Sequence, residues 1–167
     1  EKLKEELDHA YDLRTCREHC HAGPDGRVFI PPMAFKKCLE EAAKFESRKI
    51  QGRGKETWTK HFVAGVLVTE PLVLPVRKSE VSVETYEMDS RGKKGSQAGS
   101  RVPRTYPVIP SWSGDVTFLV FDAMITEEVF RDCLSRAGMF VGIGRFRPIN
   151  GGFYGRFKVN GITWTKA

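Results

Sequence analysis

The chain has 167 residues, a formal net charge of +6 and a pI near 9.2, and 40% of its residues are hydrophobic. This length and apolar content are enough for the core of one ordinary domain, and the lack of a run of about 18 apolar residues predicts no membrane-spanning helix. The excess of cations favours an anionic partner, with nucleic acid as the first choice.

The N-terminal residues 1–22 are charged and carry only a weak apolar stripe, so they predict a surface helix or a mobile arm. Within them, the run CREHCH contains residue types that zinc prefers, namely Cys16, His19, Cys20 and His21. A tetrahedral site normally draws on two separated pairs, so we predict a polar helix end and no metal or other cofactor. The four cysteines do not resemble a secreted disulfide framework, which favours a reducing, cytoplasmic location.

The segment VFIPPMAFKKCLEEAAKF, residues 28–45, predicts a short extended stub followed by a helix. Prolines at positions 31 and 32 favour a helix start, because the amides of the first turn have no partner there. Apolar residues at helical spacing predict one buried face, made of Phe35, Leu39, Ala42 and Ala43. The charged residues between them are expected to point outward, and these are Lys36, Lys37, Glu40 and Glu41.

The middle of the chain reads as extended segments separated by loops. RKIQGRGKETWTKH, residues 48–61, is a basic loop, and FVAGVLV, residues 62–68, predicts a strand. The prolines of EPLVLPV, residues 70–76, favour an edge or a crossing segment. A further strand is expected within 79–90, and SRGKKGSQAGSR, residues 90–101, is expected to be a flexible loop.

The last third contains the strongest local signals. RVPRTYPVIP, residues 101–110, is extended and is expected to cover a sheet edge or to lie along a neighbouring subunit. DVTFLVF, residues 115–121, predicts a strand. ITEEVFRDCLSRAG, residues 125–138, predicts a helix that Thr126 caps and Gly138 ends.

A final strand is predicted over residues 153–159 by the alternation in FYGRFKV, and residues 162–164 extend it. The resulting order is a βαββαβ pattern, whose first strand is either the short stub or absent from this chain. We therefore predict one α+β domain over residues 1–167, with a ferredoxin-like antiparallel sheet and two packing helices. Residues 70–110 would form a long finger-like insertion.

The stretch GIGRFRPINGGFYGRFKV, residues 142–159, combines glycines, cations and aromatic residues. In one interpretation the glycines make turns, and the arginines are merely solvated. In the other, the glycines let a phosphate backbone approach main-chain amides, while arginines and aromatic rings hold phosphates and unpaired bases.

Two other segments share this basic, glycine-bearing character: residues 48–61, and residues 90–104, which contain no acidic residue. Three such loops favour binding of single-stranded nucleic acid, largely without base specificity. The expected contacts are Arg53, Lys55, Trp58, Lys60, His61, Arg91, Lys93, Lys94, Arg101, Arg104, Arg145, Arg147, Tyr154 and Arg156.

The segment VFIPPMAFKKCLEEAAKF is similar to the strand, proline turn and helix of the CRISPR RAMP superfamily, and VGIGRFRPINGGFYGRFKV resembles its glycine-rich loop before the last strand. The layout most resembles the backbone subunit that polymerises along guide RNA. The chain also looks like a group of small phage and prophage proteins that share RVPRTYPVIPSW, FVGIGRFRP and GRF. The resemblance implies an RRM- or RAMP-type fold, RNA or single-strand binding, and a homo-oligomer or a subunit of a larger complex, in the host cytoplasm if phage-encoded.

Two alternative functions stay open. The first is a phage-type anti-defence or protein-interaction module that imitates a RAMP subunit and uses the basic loops against acidic partner surfaces. The second is a metal-independent ribonuclease with His61 as acid or base. No second catalytic partner of His61 is recognisable in the sequence, and nothing resembles a Ser/His/Asp or Cys/His nucleophile pair, so we predict that the protein is not an enzyme.

Overall fold

The computed structural model describes residues 2–89 and 101–165. These residues form a mixed α/β structure with four α-helices and three small antiparallel sheets. The chain divides into two compact units, one made of Glu1–Ile30 and Leu72–Asp115 and the other of Pro31–Pro71 and Val116–Ala167. Within the described residues, no helix has the length and apolar composition that crossing a bilayer requires. The organisation as a single domain with an insertion over 70–110 stays a prediction.

The first unit contains one helix and four strands. Its elements are α1 (Asp8–Thr15), a 3₁₀ turn (Cys16–His19), β1 (Arg27–Ile30), β3 (Leu72–Arg77), a 3₁₀ turn (Lys78–Glu80), β4 (Ser82–Asp89) and β5 (Arg101–Val108). Strand β1 pairs with β3, and β4 pairs with β5, both in antiparallel fashion. The structure thus contains a helix where a surface helix or an arm is predicted, the stub before residue 31, a strand within 79–89, and extended segments within 70–77 and 101–108.

The second unit contains the other three helices and the shortest sheet. Its elements are α2 (Pro32–Glu46), α3 (Thr59–Gly65), β2 (Val66–Val68), β6 (Phe118–Val120), α4 (Glu127–Arg136), a π-helical turn (Ala137–Val141) and a 3₁₀ turn (Pro148–Asn150). Strands β2 and β6 are antiparallel neighbours, with Leu67 opposite Leu119. Helices α2 and α4 pack into the same core, which also includes Phe62 and Val141.

The buried face of α2 is confirmed residue by residue, since Phe35, Leu39, Ala42 and Ala43 are all buried. Burial of a large apolar side chain contributes about 1.5–3 kcal/mol, so this face is a main source of the unit's stability. The prediction that Glu40 points outward is wrong, because Glu40 is buried. Its carboxylate is neutralised by the ammonium groups of Lys36 at 2.8 Å and Lys37 at 2.6 Å.

The strand predicted over residues 62–68 is wrong for its first half, which is the second part of α3. The Phe62 amide bonds to the Trp58 carbonyl at 3.1 Å, and Phe62 is buried in the core. The ammonium of Lys36 then donates to the carbonyls of Val63 at 2.8 Å and Val66 at 3.0 Å. Carbonyls in the last turn of a helix lack partners within it, so this lysine from α2 stabilises the end of α3.

The helix end predicted at Gly138 is also wrong, because the chain continues through the π-helical turn to Gly142, whose φ is +73°. Gly138 has another role: a Cβ there would lie 2.2 Å from the Phe157 carbonyl oxygen, so only glycine lets the C-terminal segment come this close. The Phe157 amide donates to the Gly138 carbonyl at 3.2 Å.

The last strand predicted over 153–159 is not formed, since residues 152–165 are described and no strand is assigned to them. The predicted alternation holds from residue 156 onward, where Phe157, Val159, Ile162 and Trp164 pack against the core while Arg156 and Lys158 are exposed. It is wrong for Phe153, which periodicity places on the side of Phe157 and Val159 and which is 55% exposed. Periodicity could not show that the segment lacks a ladder of strand hydrogen bonds.

Candidate nucleic-acid interface

The glycine-rich loop, residues 142–157, is closed by main-chain hydrogen bonds between its two arms. The Ile143 amide donates to Gly155 at 2.9 Å, the Tyr154 amide to Phe146 at 3.0 Å, and the Gly152 amide to Arg147 at 3.0 Å. A Cβ at Gly155 would lie 1.7 Å from the Ile143 carbonyl oxygen, and one at Gly152 would lie 2.2 Å from that of Phe146. Two of the glycines are therefore required for the arms to approach each other.

Three aromatic rings of this loop form a cluster, which we call the loop aromatic cluster: Phe146, Phe153 and Tyr154. Phe153 lies 4.5 Å from Tyr154 and 5.1 Å from Phe146, measured between ring centroids, and Phe146 lies 6.4 Å from Tyr154. Phe153 is 55% exposed, whereas the other two rings are partly buried. The cluster thus presents one aromatic ring to solvent on a support of two others.

Guanidinium groups accompany the cluster. Arg156 is exposed, and its Nη1 donates to the Phe153 carbonyl at 3.2 Å, which ties the guanidinium to the main chain at Phe153. Arg145 is also exposed and immediately precedes Phe146 in the chain. Exposed rings and guanidinium groups at close range are what unpaired bases and phosphates bind.

Arg147 differs from these two arginines, because its side chain is only 18% exposed and pairs with Glu41 of α2 at 2.9 Å. Its Nε is buried and makes no hydrogen bond. Arg147 therefore fastens the glycine-rich loop to α2, and its charge is largely offset by Glu41.

The basic loop, residues 48–61, is organised around one carboxylate. Glu56 accepts from the Lys60 ammonium at 2.5 Å, lies 3.2 Å from Nε2 of His61, and lies 3.6 Å from the Arg53 guanidinium. The hydrogen bond from Lys60, with a further one from His61, lowers the pKa of the Glu56 carboxyl from its usual value. Two of the predicted phosphate-binding cations are thus already paired inside the loop.

His61 is buried and lies between two carboxylates. Its Nδ1 is 2.6 Å from Oδ2 of Asp122, and its Nε2 faces Glu56. The bond from His61, followed by that from the Met124 amide, lowers the pKa of the Asp122 carboxyl. A neutral imidazole has one N–H, so only the doubly protonated ring donates to both carboxylates at once. Trp58 packs edge-on to this ring at 5.6 Å.

Sequence reasoning missed this three-residue network. Glu56 lies five residues before His61, but Asp122 lies 61 residues after it and follows β6. The pairing of β2 with β6 brings Asp122 to the end of α3. No local sequence pattern predicts this contact. Within residues 2–89 and 101–165, no group of three or more His, Cys, Asp or Glu side chains is placed to hold a metal ion.

The other residues that the sequence predicts as contacts are not part of the loop aromatic cluster or of the His61 network described above. Lys55 is exposed in the basic loop, Arg101 is exposed in β5 of the first unit, and Arg104 pairs with Asp12 at 3.2 Å in that unit. Arg91, Lys93 and Lys94 lie outside the described residues. The convergence of all three loops into one groove stays a prediction.

No family model, curated protein or solved structure matches this chain. The resemblance to the RAMP superfamily consequently stays a prediction that depends on two short motifs, and function has to be argued from the geometry of the two loops.

Proposed function

We propose that the protein binds single-stranded nucleic acid, RNA rather than DNA, without catalysing a reaction, and that the glycine-rich loop supplies the main contact. The observation that carries this proposal is the loop aromatic cluster, with its exposed Phe153 ring and with the Arg156 guanidinium bonded to the Phe153 carbonyl. Stacking of a base on such a ring is worth about 1–3 kcal/mol and tolerates any sequence, since every base has a π face. The net charge of +6 supports the same partner.

Main-chain amides contribute little to this mode of binding. Those of Ile143, Gly152 and Tyr154 donate to carbonyls within the loop. Side chains therefore supply the contacts: Phe153 stacks on a base, while Arg145 and Arg156 bind the adjacent phosphates. This arrangement reads no base edges, in keeping with binding that is largely independent of sequence.

The surroundings of His61 support a non-catalytic role over the ribonuclease alternative. A general acid or base has to come within about 3 Å of the reacting proton, whereas the His61 ring is only 8% exposed and both of its nitrogens face carboxylates. Its role in the proposal is to position the basic loop.

The ferredoxin-like arrangement is part of the proposal. In its favour, α2, β2, β6 and α4 follow one another in the expected order, β2 and β6 are antiparallel neighbours, and both helices share one core. Assembly of several copies along one strand would follow from the RAMP-type resemblance and belongs to the proposal as well.

Binding of a fluorescein-labelled 12-nucleotide oligouridylate, followed by anisotropy at several salt concentrations, tests the proposal. We expect Phe153→Ala to weaken binding about tenfold and Arg156→Ala to weaken it while reducing the salt slope by about 0.7, the value for one phosphate contact on a single strand. Arg131→Ala is the matched control, because Arg131 is an exposed arginine of α4 that pairs with Glu127.

Equal effects of Arg156→Ala and Arg131→Ala would contradict a role of the glycine-rich loop. Absence of binding at low salt would overturn the proposed function altogether. Copurification of a tight protein partner without nucleic acid would instead favour the protein-interaction alternative.

A further inference from the structure

A second exposed aromatic pair lies in the same unit as the loop aromatic cluster. Phe45, near the end of α2, and Phe140, in the π-helical turn, stack on each other with ring centroids 6.2 Å apart and ring planes inclined by 30°. The rings are 63% and 44% exposed, and the neighbouring Met139 is exposed too. Packing of the core does not explain this pair, because neither ring belongs to the buried cluster of the unit.

The charges around this pair favour an anionic occupant. Arg136, four residues before Phe140 in the chain, bonds to Glu46, the residue after Phe45, at 2.7 Å. Arg136 and Arg48 also share Asp132. These two arginines balance the two carboxylates, and the exposed Lys44 and Lys49, which have no ion-pair partner among the described residues, leave the surface net positive.

We propose that Phe45 and Phe140 form a second base-stacking platform for the same single strand that binds the glycine-rich loop. This inference rests on the proposed function and extends it from one contact to a path along the second unit. Exposed aromatic rings on a surface that also carries exposed lysines suit unpaired bases and their phosphates, whereas the base faces of a duplex are stacked and inaccessible. The occupant is therefore a single strand.

The chain between the platforms limits the length of strand required. Phe140 and Phe146 are six residues apart, so their Cα atoms lie within about 20 Å, given at most 3.3–3.6 Å per residue. At a stacked rise of about 3.4 Å per nucleotide, roughly six nucleotides cover that distance. A 12-nucleotide strand can thus reach both platforms, whereas a trinucleotide, with two stacked steps of about 3.4 Å, bridges them only if they lie within about 7 Å of each other.

The test measures the affinity of the full chain for labelled 12-nucleotide oligouridylate and for uridine trinucleotide as a competitor. Phe45→Ala and Phe140→Ala are each expected to weaken binding of the 12-mer about tenfold and to change binding of the trinucleotide less than about twofold. Phe121→Ala is the matched control, since Phe121 is a 68% exposed phenylalanine of the same unit outside both platforms. Phe45→Trp keeps a stacking face and is expected to retain the affinity of the parent.

The outcomes separate the two proposals. If Phe45→Ala and Phe140→Ala behave like Phe121→Ala while Phe153→Ala weakens binding, the second platform is overturned and the proposed function stands. If the parent chain does not bind the 12-mer, both fail. Thermal unfolding shows whether each variant is folded. If the variant at one of the two positions, Phe45 or Phe140, does not fold, the variant at the other position still tests the platform.

Discussion

The basic loop holds two of its cations with its one carboxylate, Glu56, whereas the glycine-rich loop closes its backbone with glycines and has an exposed aromatic ring and exposed guanidinium groups. In the first, Glu56 gathers Arg53, Lys60 and His61. In the second, main-chain hydrogen bonds join the two arms of the loop, and Arg147 is tied to Glu41 of α2.

The difference shows that the number of cations in a loop does not decide whether the loop can bind a polyanion. A phosphate that approaches Lys60 has to displace Glu56, and exchange of one carboxylate for another anion gains little. A phosphate that approaches Arg156 meets a guanidinium bonded only to the Phe153 carbonyl among the contacts of its own loop. In the proposed function, the glycine-rich loop therefore has the principal binding role and the basic loop a supporting one.

The largest expected effect on stability comes from a substitution that prevents the two arms of the glycine-rich loop from approaching each other. Gly155→Ala puts a Cβ 1.7 Å from the Ile143 carbonyl oxygen, at a φ of +77°. We expect the free energy of unfolding, measured in urea, to fall by about 3 kcal/mol or more, since both a clash and an unfavourable backbone conformation are introduced.

Gly151→Ala provides the control, because Gly151 has a φ of +81° but nothing within 4 Å of its Cβ position. It should cost only about 1 kcal/mol. Equal losses for the two variants would show that backbone conformation alone, and not the close approach of the arms, requires these glycines.

The next effect concerns the network that fixes the basic loop. His61→Ala removes the partner of both Asp122 and Glu56, and we expect it to lower the free energy of unfolding by about 2–3 kcal/mol, the cost of leaving charged groups without their hydrogen bonds. His19→Ala, at an exposed position, should change it by less than about 0.5 kcal/mol. A small loss for His61→Ala would mean that the network does not organise the loop.

The pH dependence of the free energy of unfolding tests the same His61 network. The pKa of Asp122 is lowered in the folded chain, chiefly by the hydrogen bond from His61. The stability that this carboxylate contributes is thus complete above its ordinary value of about 4, and it is lost as the pH falls through the lower, folded value. The difference in unfolding free energy between the parent and Asp122→Asn should be constant from pH 5 to 7 and shrink below pH 4.

If that difference stays constant down to pH 2, the Asp122 carboxylate is not held by His61 in the folded state. Asp115→Asn is the comparison variant, because Asp115 is exposed and its substitution should change the free energy of unfolding by less than about 0.5 kcal/mol.

The smallest expected effect concerns binding. Glu56→Gln releases Arg53 and Lys60 from their carboxylate, so the basic loop should gain affinity for the 12-nucleotide strand by about threefold at low salt, given that exposed ion pairs are worth less than about 1 kcal/mol. Glu70→Gln, at an exposed position of the same unit, makes the same change of charge. If the two variants bind equally well, Glu56 does not restrain the cations of the basic loop.

Local patterns were sufficient for the parts of the fold that local forces decide. The apolar spacing of α2 and the Thr126 cap of α4, where Thr126 accepts from the Val129 amide, could be identified from the sequence. Helix α3 could not, because its end is stabilised by Lys36 from another helix. The run FVAGVLV has strand-like composition, and tertiary hydrogen bonds override that preference.

The candidate site shows the same division. Residues of the site, including Tyr154, Arg145 and Arg156, could be identified from the sequence. The pairing of Arg147 with Glu41 spans 106 residues, and that of His61 with Asp122 spans 61. Such long-range partners decide which charges are available, and one sequence without its fold does not reveal them.

Ultraviolet crosslinking of the full chain to a 12-nucleotide oligouridylate, with the crosslinked peptides identified by mass spectrometry, tests the central claim most directly. We predict that the dominant crosslinks lie within residues 145–158, on Phe146, Phe153 or Tyr154. Crosslinks confined to residues 48–61, or to the first unit, would contradict the assignment of the binding surface to the glycine-rich loop.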